Sequence, residues 1–143
     1  MFKNKLVNIM LIILIALTLV GVVSVVLVNQ FRAEVNPYAE PTIDDIVSLS
    51  FETEEITTNL RSNDFVRAKF LIHVDNKNAL EEIQKRDFQV ENIIIRSLAG
   101  KEATDLVGPE GIDTLEAELQ EEINRLMQTG AVVKVYTTQW VVQ

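Results

Sequence analysis

DFVRAKFLIHVD, Asp64 to Asp75, is the stretch on which the fold turns. Taken two residues at a time, it separates cleanly. Val66, Ala68, Phe70, Ile72 and Val74 fall on one face; Phe65, Arg67, Lys69, Leu71 and His73 fall on the other. Successive side chains of a strand point to opposite sides, so this alternation predicts a β-strand with one buried and one mostly wet face. A sheet with one apolar face needs a second layer to cover it.

The sequence downstream offers that layer. NKNALEEIQKR switches to helical chemistry, with Asp75 or Asn76 as a cap. Glu81–Lys85 and Glu82–Arg86 are i,i+4 pairs in the favourable order. In DFQVENIIIRSLAG, Val90, Ile93, Ile94 and Leu98 form a helical stripe, which Asp87 caps and Gly100 ends. The run of three isoleucines also admits a strand. KEATDLVG reads as a turn or short helix. Gly108-Pro109 then opens a long helix with proline in its first turn. Its buried stripe is Ile112, Leu115, Leu119, Ile123 and Leu126, and Gly130 ends it.

Upstream, IVSLSFETEEITTNL reads as a strand, a polar bend and a second short strand. At the other end, AVVKVYTTQWVVQ reads as a final strand that is apolar on both sides. Simple alternation sends Tyr136, Trp140 and Val142 one way and Val133, Val135 and Val141 the other. An edge strand normally carries charge or proline against outside pairing, and this one has only Lys134. It is therefore expected to be paired and largely covered, in its own sheet or by another subunit. The fold class is α+β, with helices packed on a small sheet.

The N-terminal region is of a different kind. LVNIMLIILIALTLVGVVSVVLV, Leu6 to Val28, is 23 residues without a charge. As a helix it spans roughly 35 Å, enough to cross a bilayer core of about 30 Å with some tilt. It is too long for the apolar region of a cleaved signal peptide, and NQFRAEV has no A-x-A site. Leu6, Leu14, Val20 and Val28 are taken as anchor positions along it. Lys3 and Lys5 precede the span, while Arg32 follows with Glu34 close by. The positive-inside rule puts the N-terminus in the cytoplasm and the rest outside. The expected boundaries are a cytoplasmic stub at 1–5, a transmembrane helix at 6–30, a linker at 31–45 and an exported domain at 46–143.

Residues 35–143 carry ten Lys and Arg against twenty Asp and Glu, a net charge of −10. Such a surface is a poor nucleic-acid binder, since phosphate contacts need clustered cations. There are no cysteines, so thiol catalysis, iron–sulfur clusters and cysteine zinc sites are excluded. His73, the only histidine, is expected to be a solvated spacer on the strand's polar face. Glu118 and Glu122 lie four apart and could share a calcium ion, but a solvated helix face explains Glu116, Glu118, Glu121 and Glu122 better. Asp44 and Asp45 are adjacent and would point apart on a strand, which suits acid–base catalysis poorly. The expectation is a non-enzymatic interaction domain on a membrane tether, with no cofactor, metal or small-molecule substrate.

Several segments carry a further signal by their order: EITTNL, FVRAKFLIHVD, RDFQVENIIIRSLAGKEATDL, GIDTLEAELQEEINRLM and the terminal VYTTQWVVQ. With the single anchor, this succession resembles the FliL family of flagellar basal-body-associated membrane proteins over nearly the whole chain. The resemblance implies an exported domain similar to the stomatin/prohibitin (SPFH) fold. It also implies self-association into a ring around the ion-driven stator, of MotA/MotB type, in support of swimming and swarming. The implied location is the cytoplasmic (inner) membrane at the flagellar basal body. It transfers no residue-by-residue partner site. Phe70, Ile94, Leu119, Tyr136 and Trp140 are the candidates for fold or subunit contacts. The alternative reading is a membrane-tethered extracytoplasmic ligand-sensing or scaffold domain. An anchored hydrolase is a third reading.

Overall fold

A computed structural model of the chain describes residues 4–33 and 40–143. Residues 34–39 of the expected linker, and residues 1–3 of the expected stub, lie outside the described residues. The chain divides into two units, Met1–Glu40 and Pro41–Gln143. The first holds a single helix, α1 (Lys5–Ala33), which runs into the stretch read as linker.

The second unit is α+β, as the alternation and the helical stripes require. A short helix, α2 (Ile43–Ser48), leads into strands β1 (Ser50–Glu52), β2 (Ile56–Asn59) and β3 (Phe65–Val74). Helices α3 (Lys77–Lys85) and α4 (Asp87–Ala99) follow, then a 3₁₀ turn at Ala103–Leu106. Helix α5 (Gly108–Asn124) and strand β4 (Val132–Val142) complete the domain.

β3 is the centre of the sheet. β4 pairs antiparallel along it, while β1 and β2 pair antiparallel with its two ends. A strand has two edges, so β1 and β2 share the edge that β4 leaves. Between them Thr53 is buried, and its hydroxyl accepts the Phe70 amide at 3.1 Å while its own amide donates to the Phe70 carbonyl at 2.9 Å. A side chain thus bridges the break between the two short strands. The five β3 residues assigned to the apolar face, Val66, Ala68, Phe70, Ile72 and Val74, are fully buried. Ile83, Val90, Ile94, Leu98, Leu115, Leu119 and Ile123 meet them from the helices, also fully buried.

Three local readings change, and two that were open are settled. Ile43–Ser48 is helix where Ile46 onward reads as strand. Thr42 caps it, and the Asp45 carboxylate returns to the Thr42 amide at 3.0 Å. That T-x-x-D capping box outweighs the strand preference of the isoleucine and valine. The three isoleucines are helical, inside α4. Asn76 rather than Asp75 caps α3, accepting the Ala79 amide at 2.9 Å, and Asp87 is the first residue of α4 rather than its cap. Helix α5 ends at Asn124, before Leu126 and well before Gly130. Gly130 instead makes the turn into β4 with φ of +99°, packed where a side chain would strike Asp75 and Asn76.

Candidate functional surfaces

Helix α1 presents its apolar side chains outward on every side. Leu6, Leu14, Val20 and Val28 are all exposed, and nothing among the described residues covers them. Lys5–Asn29 is long and apolar enough to cross a membrane. Its polar hydroxyls are satisfied within the helix. Thr18 donates to the Ile15 carbonyl at 2.8 Å and Ser24 to the Val20 carbonyl at 2.8 Å. Lipid offers no replacement for such bonds, so this suits a helix in hydrocarbon.

In the second unit the candidates separate by depth. Phe70, Ile94 and Leu119 have no exposed surface and belong to the core. Tyr136 is 38% exposed, on the side of the sheet away from the helices. Trp140 is half-buried against the core. These last two lie on opposite faces, which corrects the alternation. Register partners share a face. Leu71 pairs with Tyr136 and Arg67 with Val141 on the outer side; Ala68 pairs with Trp140 and Val66 with Val142 on the core side. Register shifts between Lys69 and Phe70 and between His73 and Val74 leave Thr138 and Val133 as extra residues on β4. Each bulge adds one residue and inverts every face beyond it.

The outer side of the sheet therefore carries Phe65, Leu71, Tyr136 and Val141 among Arg67, Lys69 and Glu52. Lys69 meets Glu52 at 3.2 Å and Arg67 meets Glu55 at 3.5 Å, pairs that are exposed and contribute little. His73 corrects its expectation: it is 5% exposed, not solvated. It sits on the central strand, with Ser50 of β1 on one side and Lys134 of β4 on the other. Alternation tells the side of a sheet but not how many neighbours flank the strand.

The glutamates of α5 divide similarly. Glu121 and Glu122 reach Arg125, each at 2.7 Å, and Glu118 reaches Lys101 at 2.6 Å. Glu116 is not a solvated residue. It is buried, and one carboxylate oxygen accepts the Thr137 amide at 2.8 Å and the Thr137 hydroxyl at 2.9 Å. Gln120 and Asn124 continue its line at four-residue spacing. Gln120 donates to the Val133 carbonyl at 3.0 Å, and Asn124 accepts the Val132 amide at 2.7 Å. All three contacts fall at or beside the bulges. The spacing is legible in the sequence as a polar i, i+4, i+8 row, but no pattern in β4 marks where its bulges lie.

A groove of about 660 Å³ opens beside α3 and the loop before β4, lined by Glu81, Glu82, Lys85, Phe88 and Gln128 among others. Its anchor is the half-buried Glu82. That carboxylate takes the Thr129 hydroxyl at 2.6 Å, the Thr129 amide at 2.7 Å, the Gln128 amide at 3.0 Å and the Arg86 guanidinium at 2.8 Å. The Thr129 hydroxyl foremost, with those backbone donors and Arg86, lowers its pKa to about 2. The acceptor capacity of Glu82 is used inside the chain, so it ties α3 to the loop rather than offering a ligand contact. The expected Glu82–Arg86 pair is present; among the described residues Glu81 has no ion pair with Lys85. No group of three or more metal-ligating side chains occurs among the described residues.

The family model described as flagellar basal body-associated protein FliL matches residues 50–143. The chain belongs to the FliL family. It is 41% identical over 105 residues to the flagellar protein FliL of Bacillus subtilis (strain 168), covering 73% of this chain and 75% of that one. It is 30% identical over 79 residues to the flagellar protein FliL of Aquifex aeolicus (strain VF5), covering 55% of this chain and 49% of that one. The FliL match begins at the first residue of β1 and ends at Gln143. It thus spans the whole sheet and helical layer, including the bulged β4 and the α5 row that contacts it, while α1 lies before it.

Proposed function

We propose that this protein is an accessory component of the flagellar basal body, held in the cytoplasmic membrane by α1, and that it supports the ion-driven stator. The observation that carries this is the family match from β1 to the end of β4, joined to an N-terminal helix fit to cross a bilayer. In this reading the N-terminus is cytoplasmic, as the lysines before the span favour, and residues from Pro41 onward lie outside. The domain is SPFH-like, and copies assemble into a ring around a MotA/MotB-type stator.

The test is genetic and mechanical. Deleting the gene should reduce swarming and lower the number of engaged stators under high load. Normal torque at high load, with unchanged spreading in soft agar, would remove this reading. The ring is separable from it: co-purification from detergent with a MotB-type protein, with the mass measured, reports stator contact and copy number independently.

A further inference from the structure

We infer that the Glu116–Gln120–Asn124 row of α5 is an edge guard, which holds the outward backbone groups of β4 and keeps a second copy of this chain from adding its own β4 there. The inference does not rest on the stator or ring reading.

β4 is eleven residues long and lies at the sheet edge, with β3 on one side only. A long apolar edge is a template for strand addition, which charge, proline or bulges oppose. β4 has no proline, and its one charge, Lys134, leans toward Glu116 at 3.7 Å. It does have two bulges, and α5 places a polar side chain at each. Asn124 accepts the Val132 amide at 2.7 Å and donates to the Val132 carbonyl at 3.2 Å. That is the pair of bonds a neighbouring antiparallel strand would make. Gln120 takes the Val133 carbonyl at 3.0 Å, and Glu116 takes the Thr137 amide at 2.8 Å. Three side chains thus occupy backbone groups of Val132, Val133 and Thr137 along this edge. Beyond Thr137 the strand continues through Thr138–Val142, so the guarded stretch is the longer part of this edge.

A second copy is the occupant this excludes. A strand can pair antiparallel with its own copy about a two-fold axis, so one edge suffices for both partners. With Lys134 as its only charge, β4 offers little repulsion to such pairing. Copies anchored in one membrane also meet at high effective concentration.

The test uses the full-length chain in detergent, carrying Gln120→Ala with Asn124→Ala. The expected result is a folded domain by circular dichroism whose mass rises with concentration, to roughly double that of the unaltered chain. Amide-exchange protection over residues 132–137 should rise with it. Adding Val133→Lys should return the mass to that of the unaltered chain. A mass equal to the unaltered chain at every concentration, with protection over 132–137 falling, overturns the inference: the row then only braces the strand. A larger mass that survives Val133→Lys overturns it too, since association then bypasses the edge. If the double variant does not fold, Gln120→Ala alone keeps the Asn124 bonds and carries the same readouts at smaller amplitude.

Discussion

Two side chains show how depth and partners set a residue's weight. Glu82 is charged, only 13% of its side chain is exposed, and it is surrounded by donors from α3 and the loop before β4. Its pKa is lowered from 4.5 to about 2. A depressed carboxylate contributes stability above its unfolded value, and that contribution fades as pH falls through the folded one. Thermal unfolding between pH 4.5 and 2 should therefore show a falling acid limb. Glu82→Gln should lower stability near neutrality and flatten that limb; an unchanged limb would show that other carboxylates set it. Trp140 and Tyr136 form the second contrast. Trp140 is half-buried on the core face, so Trp140→Ala should cost about 2–3 kcal/mol, below the usual range for a fully buried tryptophan. Tyr136 is exposed on the other face, so Tyr136→Ala should stay within about 1 kcal/mol. Urea midpoints of the two variants measure the difference, and equal losses would mean that the bulge does not separate them.

At the scale of elements, the strands are unequal. Among the described residues β3 is the only strand paired along both edges, and β4 supplies one whole side of that pairing. Deleting residues 135–143 removes most of that partner and strips cover from Phe70 and Ile72. The truncated chain should lose the circular dichroism signature of the domain while the α1 signal persists. A folded truncation would show β3 stable with β1 and β2 alone. Helix α1 depends on a different solvent. Leu14→Arg with Leu17→Arg places two charges near the centre of the span, each costing roughly 2.5–3.5 kcal/mol on insertion scales. The double variant should become extractable from membranes by alkali, where the unaltered chain resists.

For the molecule as a whole, chemistry and architecture point the same way. The acidic pairs on α5 close on Arg125 and Lys101, the carboxylates of half-buried Glu82 and buried Glu116 are spent on backbone groups, and the histidine is packed within the sheet. Polar capacity in the interior is used to hold elements together. What is left for partners is surface: an outer sheet face bearing Phe65, Tyr136 and Val141, and a helix long and apolar enough to cross a membrane. That division fits a protein whose work is to hold a position beside others in a membrane.

Much of this was written in local pattern. The period of two in β3 set its buried face, and the 3.6-residue stripes of α4 and α5 set theirs, because both follow from backbone geometry alone. The span in α1 followed from length and lack of charge. Tertiary structure decided the rest. Thr42 and Asp45 closed a capping box that turned Ile43–Ser48 into helix. Flanking strands on both sides buried His73. One bulge, at Thr138, inverted the end of the terminal strand, sending Trp140 inward and leaving Tyr136 out. A bulge is one extra residue in a pairing of two distant segments. Its place depends on β3 opposite and on Glu116, Gln120 and Asn124 above, and no run of neighbouring residues encodes that meeting.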